Sequence, residues 1–161
     1  MIKPFYIIGF MGTGKSSLKR YLEISDHAID LDEMFEAHVK MDISTYFEHY
    51  GEDAFRLQES KLLQQANAAY IVTGGGIVER DDNFDLMRER GVIIALDLPY
   101  EMCWDRIKDS DRPLVRRGKT TVEALYARRR PLYARADYVL DASLSTEVIA
   151  QTLYQIREED T

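Results

Sequence analysis

The sequence is poor in cysteine, in net positive charge and in long apolar runs. Cys103 is the only cysteine, which excludes an intrachain disulfide and favours a structural thiol in a reducing compartment. Basic residues are outnumbered: 21 Lys and Arg face 28 Asp and Glu, a formal charge of −7. A general polyanion binder needs a broad basic face, so nucleic acid is not an expected partner. No apolar run reaches the length of a membrane span, and the run near the start leads into glycines without a signal-peptide cleavage pattern. No linker, low-complexity stretch or repeat interrupts the 161 residues. The expectation is one cytoplasmic domain over residues 1–161, away from any membrane and large enough to bury a core.

What the sequence does contain is a regular alternation of apolar strands and amphipathic helices. Phe5–Ile8 is a short apolar run ended by Gly9, which suits a strand covered on both faces. Further strands are expected at His27–Ile29, Ala69–Val72, Val92–Leu96 and Tyr138–Leu140. Helices are expected from near Gly14, over Glu33–Val39, over Ile43–Tyr50 with Asp42 as cap, and over Asp53–Ala69. Others should span Asp82–Arg90, Pro99–Ile107, Thr120–Ala134 (with Thr120 and Glu123 at capping-box spacing) and Ser145–Arg157. Residues 109–119 are polar and aperiodic, and read as a mobile loop. This order predicts an α/β fold in three layers, α/β/α, around a five-stranded parallel sheet, with ligands at the carboxyl ends of the strands.

The strongest chemical signal is Gly9-Phe10-Met11-Gly12-Thr13-Gly14-Lys15-Ser16, a complete G-x-x-x-x-G-K-S/T between a strand and a helix. Glycines there let successive N–H groups converge on phosphate, and the following helix points its positive dipole end at the same anion. Gly12, Thr13, Gly14, Lys15, Ser16 and Ser17 are the candidate nucleotide-binding residues; Lys15 should reach the β- and γ-phosphates, and Ser16 should help hold Mg²⁺. Two aspartates follow the second strand. Read as strand residues, Asp30 and Asp32 face one side, placed to serve as metal ligand and hydroxyl base. Asp97 ends an apolar strand in Walker B fashion, but Pro99 follows so closely that Asp97 equally suits a helix cap. No guanine-reading Asn-Lys-x-Asp segment is present.

Basic residues concentrate between Arg106 and Arg135, which in an acidic chain suggests a small anionic ligand or else a solvated helix face. Arg56 and Arg129 are candidate carboxylate ligands, since planar guanidiniums match carboxylates bidentately. Alternatively, Arg56 pairs with Glu59 or Glu52 on its own helix, and Arg129 lies on the solvated face with Arg128 and Arg130. Gly74-Gly75-Gly76 offers close backbone approach to a ligand, or is a tight exit from its strand.

Taken together these residues resemble the shikimate kinase family, over nearly the whole chain from Tyr6 to about Asp141. The P-loop resembles the family's own version. Asp30-Leu31-Asp32 is similar to its D-x-D segment, and Phe47, Gly51-Glu52, Phe55-Arg56 and Glu59 to its F…GE..FR..E segment. Gly74–Gly76, Arg112-Pro113-Leu114 and Arg129-Arg130-Pro131-Leu132-Tyr133 follow in family order. Leu18-Lys19 departs from the small residue of many members, and the stretch from Lys15 to Asp30 is short. The resemblance implies an ATP-dependent kinase making 3-phosphoshikimate from shikimate, in the pathway to chorismate and the aromatic amino acids, with Mg²⁺ as cofactor. It implies Lys15, Asp32 and Arg112 as catalytic residues and Asp30 with Ser16 at the metal. Arg106 would lie against adenine and Arg112 would reach the phosphates from a lid at 109–119. Shikimate would be held by Asp32, Arg56, Gly74, Gly75, Gly76 and Arg129, with Arg130 at a variable position and Glu59 positioning Arg56. The adenine loop is expected near Asp141–Ser143 without assigned residues, and the protein is expected to act as a monomer. Two other readings remain: a sibling kinase for gluconate or a nucleoside monophosphate, and a catalytically silent nucleotide-binding regulatory module.

Overall fold

The computed structural model describes residues 2–160. Five parallel strands, β1 (Phe5–Gly9), β2 (Ala28–Asp30), β3 (Tyr70–Val72), β4 (Val92–Asp97) and β5 (Tyr138–Asp141), form one sheet in the order β2-β3-β1-β4-β5. Helices α1 (Lys15–Leu22), α2 (Leu31–Val39), α3 (Ile43–Gln65), α4 (Asp81–Arg90), α5 (Tyr100–Ile107), α6 (Lys119–Tyr133) and α7 (Thr146–Asp160) connect and cover the strands. β1 is the centre of the core, with Phe5, Tyr6, Ile7 and Ile8 fully buried. Each such Ile or Phe stabilises the fold by roughly 1.5–3 kcal/mol. The expected three-layer α/β/α architecture with five parallel strands is the one found.

The strand order determines what meets at the carboxyl edge. β1 lies between β3 and β4, so the P-loop after β1 and the glycine segment after β3 leave the sheet side by side. Thr73 pins that junction, donating from N to the Ile7 carbonyl at 3.0 Å and from its buried hydroxyl to the same oxygen at 2.8 Å. β2 flanks β3, with Asp30 in register with Val72, which brings the first aspartate alongside.

Several boundaries differ from expectation. α2 begins at Leu31, so Asp30 and Asp32 are not alternate residues of one strand. Asp30 is the helix cap, its Oδ1 accepting from the Asp32 N–H at 2.9 Å and the Glu33 N–H at 3.4 Å, and Asp32 sits in the first turn. The two helices expected on either side of Gly51 are both present within α3, which breaks helical geometry at Gly51, where φ is 83°. α3 then stops at Gln65 because Ala66 turns extended, and Ala66, Ala68 and Ala69 pack into the core on the way to β3. These alanines favour helix locally, but burial of the connection overrides that preference. The capping box at Thr120 does not form; α6 starts at Lys119 from Gly118, with no side-chain cap. Asp42 does cap α3, accepting from the Thr45 N–H at 2.8 Å. Within 109–119 a short 3₁₀ turn forms at Val115–Arg117, where Val115 is buried and Leu114 packs on the core.

Candidate active site

A cleft of about 460 Å³ opens at the carboxyl edge of the sheet. Its wall includes residues 11–18, Asp30, Asp32, Gly74, Gly75, Arg106 and Arg112, so every expected nucleotide, metal and catalytic residue faces one cavity. Gly12 has φ 86°, and a Cβ there would lie 2.8 Å from the Cys103 carbonyl oxygen. The loop therefore needs glycine both for its left-handed backbone and for its seat on α5. Gly14, at φ 97°, precedes α1, whose amino end faces the cleft. The Thr13 hydroxyl is turned inward, donating to the Phe10 carbonyl at 2.8 Å.

Lys15 curls back over its own loop and donates to the carbonyls of Gly9 and, at 3.0 Å, Phe10. Burial pulls its ammonium down to about 8, against the opposing pull of Asp32. Asp32 moves the other way: burial, aided by the neighbouring Asp30 charge, pushes its carboxyl up to about 6. Such a carboxylate is mostly ionised at neutral pH yet unusually ready to take a proton. Asp30 is also raised, chiefly by burial. Arg106 donates to the Gly12 carbonyl at 3.0 Å and so stands at the P-loop.

The described residues contain no cluster of three or more His, Cys, Asp or Glu able to hold a metal by themselves. Mg²⁺ keeps several of its waters and binds through one or two carboxylates plus substrate phosphates, so a carboxylate with a hydroxyl beside it is a donor set that fits this ion. Ser16 and Asp30 both line the cleft and supply hard oxygen donors. Asp97 does not line it; its carboxylate pairs with Arg130 at 3.5 Å, both side chains being exposed.

The glycine segment, from Gly74 into a 3₁₀ turn (Gly75–Glu79), carries the second half of the site. Three different groups press on its three glycines. A Cβ at Gly74 would lie 2.8 Å from Asp32 Oδ1 and 3.0 Å from Glu59 Oε2. One at Gly75 would lie 3.3 Å from Arg129 Nη1, and one at Gly76 would overlap the Arg56 guanidinium. The segment is thus a backbone ribbon walled by one carboxylate pair and two arginines. Arg56 and Arg129 stand beyond the glycines, outside the wall of the main cleft.

Arg56 does pair with Glu59, Nη1 to Oε1 at 3.0 Å, and the same guanidinium also lies against Gly76. Glu59 is 3% exposed at its side chain. Burial, with Asp32 adding repulsion and Arg56 opposing, pushes its carboxyl up to about 7. Arg129 is 6% exposed and so does not belong to a solvated face, whereas Arg128 and Arg130 are 65% and 61% exposed. Arg129 Nε donates to Glu79 Oε2 at 3.2 Å. The Tyr133 hydroxyl donates to the Gly75 carbonyl at 2.7 Å.

One part of the site is located but not assigned by residue from the sequence, and a second is not visible there. Ala142, Leu144, Thr146 and Ile149, after β5, line the same cleft as Arg106, Ala142 lying within the stretch expected to hold adenine. They form no pattern along the chain, being small or apolar residues at irregular spacing. Glu79 is the second; an acid beyond a glycine run gives no signal until α6 folds over it.

A parallel sheet with a P-loop after its central strand, that loop's lysine in the cleft, and carboxylates beside a glycine ribbon define a P-loop phosphotransferase fold. The family profile described as shikimate kinase matches residues 11–157. A shikimate kinase of Thermodesulfovibrio yellowstonii is 34% identical over 161 aligned residues, covering 94% of this chain and 93% of that protein. The chain therefore belongs to the shikimate kinase family. In structure it is similar to a shikimate kinase from Acinetobacter baumannii in complex with shikimate, with a TM-score of 0.89 at 27% identity over 100% of this chain and 96% of the other. It is also similar to the shikimate kinase of Aquifex aeolicus, with a TM-score of 0.83 at 30% identity over 97% and 96% of the two chains.

Proposed function

We infer that the protein transfers the γ-phosphoryl group of ATP to a ring hydroxyl of shikimate, giving ADP and 3-phosphoshikimate for aromatic amino acid biosynthesis. The observation that carries this reading is the convergence of Arg56, Arg129 and Asp32 on one three-glycine ribbon beside the P-loop. A substrate with a carboxylate at one end and hydroxyls at the other matches two guanidiniums and a carboxylate so arranged. A gluconate or nucleotide kinase has no need of that pair beside Asp32.

Residues 12–17 cradle the phosphates, and Lys15 leaves the carbonyls of Gly9 and Phe10 to meet the β- and γ-oxygens. Adenine lies between Arg106 and the segment from Ala142 to Ile149. Arg56 and Arg129 hold the carboxylate, Gly74–Gly76 lets the ring approach, and Asp32 accepts a hydrogen bond from the attacking hydroxyl and orients it in line. Arg112 closes on the transferring phosphoryl when residues 109–119 fold down as a lid, excluding water. Ser16 and Asp30 would hold Mg²⁺, which when bound would neutralise phosphate charge. Residues 1–161 work as one monomeric kinase unit in the cytoplasm, where ATP is supplied and Cys103 stays a thiol.

The test is an ADP-coupled screen of shikimate, gluconate and nucleoside monophosphates with ATP and Mg²⁺. Turnover is expected with shikimate alone. Preferential phosphorylation of gluconate or a nucleotide would overturn the substrate, and tight ATP binding without turnover of any acceptor would point to the silent regulatory module.

A further inference from the structure

Arg129 is a buried cation reached from two sides. One side is the ribbon, with Nη1 3.3 Å from where a Gly75 Cβ would stand. The other side is Glu79, whose Oε2 accepts from Nε at 3.2 Å and also from Nη2 of the exposed Arg128. Glu79 closes the same 3₁₀ turn that begins at Gly75. The acid that orients Arg129 is thereby built into the ribbon that Arg129 contacts. That turn is itself anchored from below: the Asn83 amide donates to the Ile77 carbonyl at 2.9 Å and accepts from the Ser60 hydroxyl at 2.9 Å, all buried.

We propose that Glu79 is a positioning residue for the acid-binding half of the site, orienting the Arg129 guanidinium through Nε so that its Nη edge stays turned to the substrate carboxylate. A guanidinium presents five donors in a fixed plane, so fixing Nε determines where the remaining edge points. An unpaired Glu79 beside Arg129 would also cancel the charge that a carboxylate ligand needs. Arg128 supplies the balance: the Arg128–Glu79–Arg129 chain carries one net positive charge at the ribbon. Burial alone would raise the Glu79 carboxyl, yet the two arginines outweigh it and hold it below its ordinary value, so the acid stays ionised at neutral pH. The local role extends the function proposed above and rests on it for the identity of the anion.

The experiment compares Glu79→Ala, Glu79→Gln and Arg128→Ala by steady-state kinetics on the purified chain, with Arg129 Nε–H followed by ¹⁵N NMR without substrate. Loss of a hydrogen bond to a charged group predicts that Glu79→Ala raises KM for shikimate about tenfold or more, while kcat and KM for ATP stay within about twofold. Glu79→Gln keeps an oxygen for Nε and recovers most of the loss. Arg128→Ala, removing only an exposed partner, has the smaller effect. In the parent the Arg129 Nε–H resonance, assigned by its disappearance in Arg129→Lys, is protected from exchange, and Glu79→Ala abolishes that protection. Unchanged KM for shikimate, or equal rises for both substrates, would overturn the proposal. So would persistence of the protected resonance in Glu79→Ala. A parent that fails to phosphorylate shikimate at all would overturn the substrate assignment instead, and the NMR arm would still decide whether Glu79 orients Arg129.

Discussion

Around the P-loop, the anion-binding groups come from consecutive residues, Gly12 to Ser17, on one loop and the start of one helix. Around the glycine ribbon the charged groups come from three separate helices: Asp32 from α2, Arg56 and Glu59 from α3, and Arg129 from α6. The first arrangement depends on backbone geometry, which a short segment dictates for itself. The second depends on how α2, α3 and α6 pack, and its charges are buried, so each needs a partner there. Asp32 and Lys15 stand at the junction, each shifted mainly by burial and each opposing the other's shift.

The comparison breaks most sharply at Lys15. Lys15→Met is expected to lower turnover by about 10³-fold or more, since it removes a preorganised charge at the transferring group. The fold should survive, because the ammonium bonds only its own loop. Circular dichroism with the coupled assay checks both, and near-parental turnover of folded protein would remove the P-loop from the mechanism.

On the other side, Arg56→Ala and Arg129→Ala should weaken shikimate binding by roughly 30- to 5,000-fold, the usual effect of truncating one partner of a buried charged pair. Nucleotide affinity should change little. Calorimetric titration with each ligand makes the distinction; the reverse pattern would move both arginines to the phosphate side. Arg130→Ala is the control, since Arg130 faces away and pairs with Asp97.

Gly76→Ala sharpens the same contrast at smaller amplitude. The added methyl overlaps the Arg56 guanidinium, the far end of a flexible side chain, so the arginine shifts and the fold holds. KM for shikimate should rise about tenfold, as for loss of a charged hydrogen bond, with thermal stability and KM for ATP close to the parent. An unaltered KM for shikimate would show that Arg56 does not bind from its place on Gly76.

The smallest effect is on stability. Glu59 is raised by burial to about 7 in the folded chain, from an ordinary value of 4.5. A carboxyl that binds its proton more tightly when folded loses stability as pH rises from the unfolded value through the folded one. Stability should therefore decline between about pH 5 and 8, and Glu59→Gln should flatten the decline. Urea denaturation of both proteins across that range measures the slope, and parallel slopes would remove Glu59 as the group responsible.

Much of the site could be read along the chain wherever function uses neighbouring residues. Leu18 and Leu22 at helical spacing placed α1, and the β1 run placed the core strand. The reading faltered where two local preferences compete. Asp30-Leu31-Asp32 has strand spacing on paper, but Asp30 is also an excellent helix cap, and capping α2 prevailed. By contrast, Arg128, Arg129 and Arg130 look alike locally, yet the resemblance singled out Arg129, and it is the buried one of the three.

The parallel α/β order, the P-loop and the set of charged residues available to a small anion are all legible along the chain. Those features rest on hydrophobic period and on backbone conformations that a few glycines permit locally. Only the packed fold brings Glu79 onto the Arg129 guanidinium and leaves Asp97 to pair with the exposed Arg130. The reason is that α6 rests on the 3₁₀ turn along one stripe only. Three adjacent arginines then lie about 100° apart around the helix, and a single one can point into the ribbon.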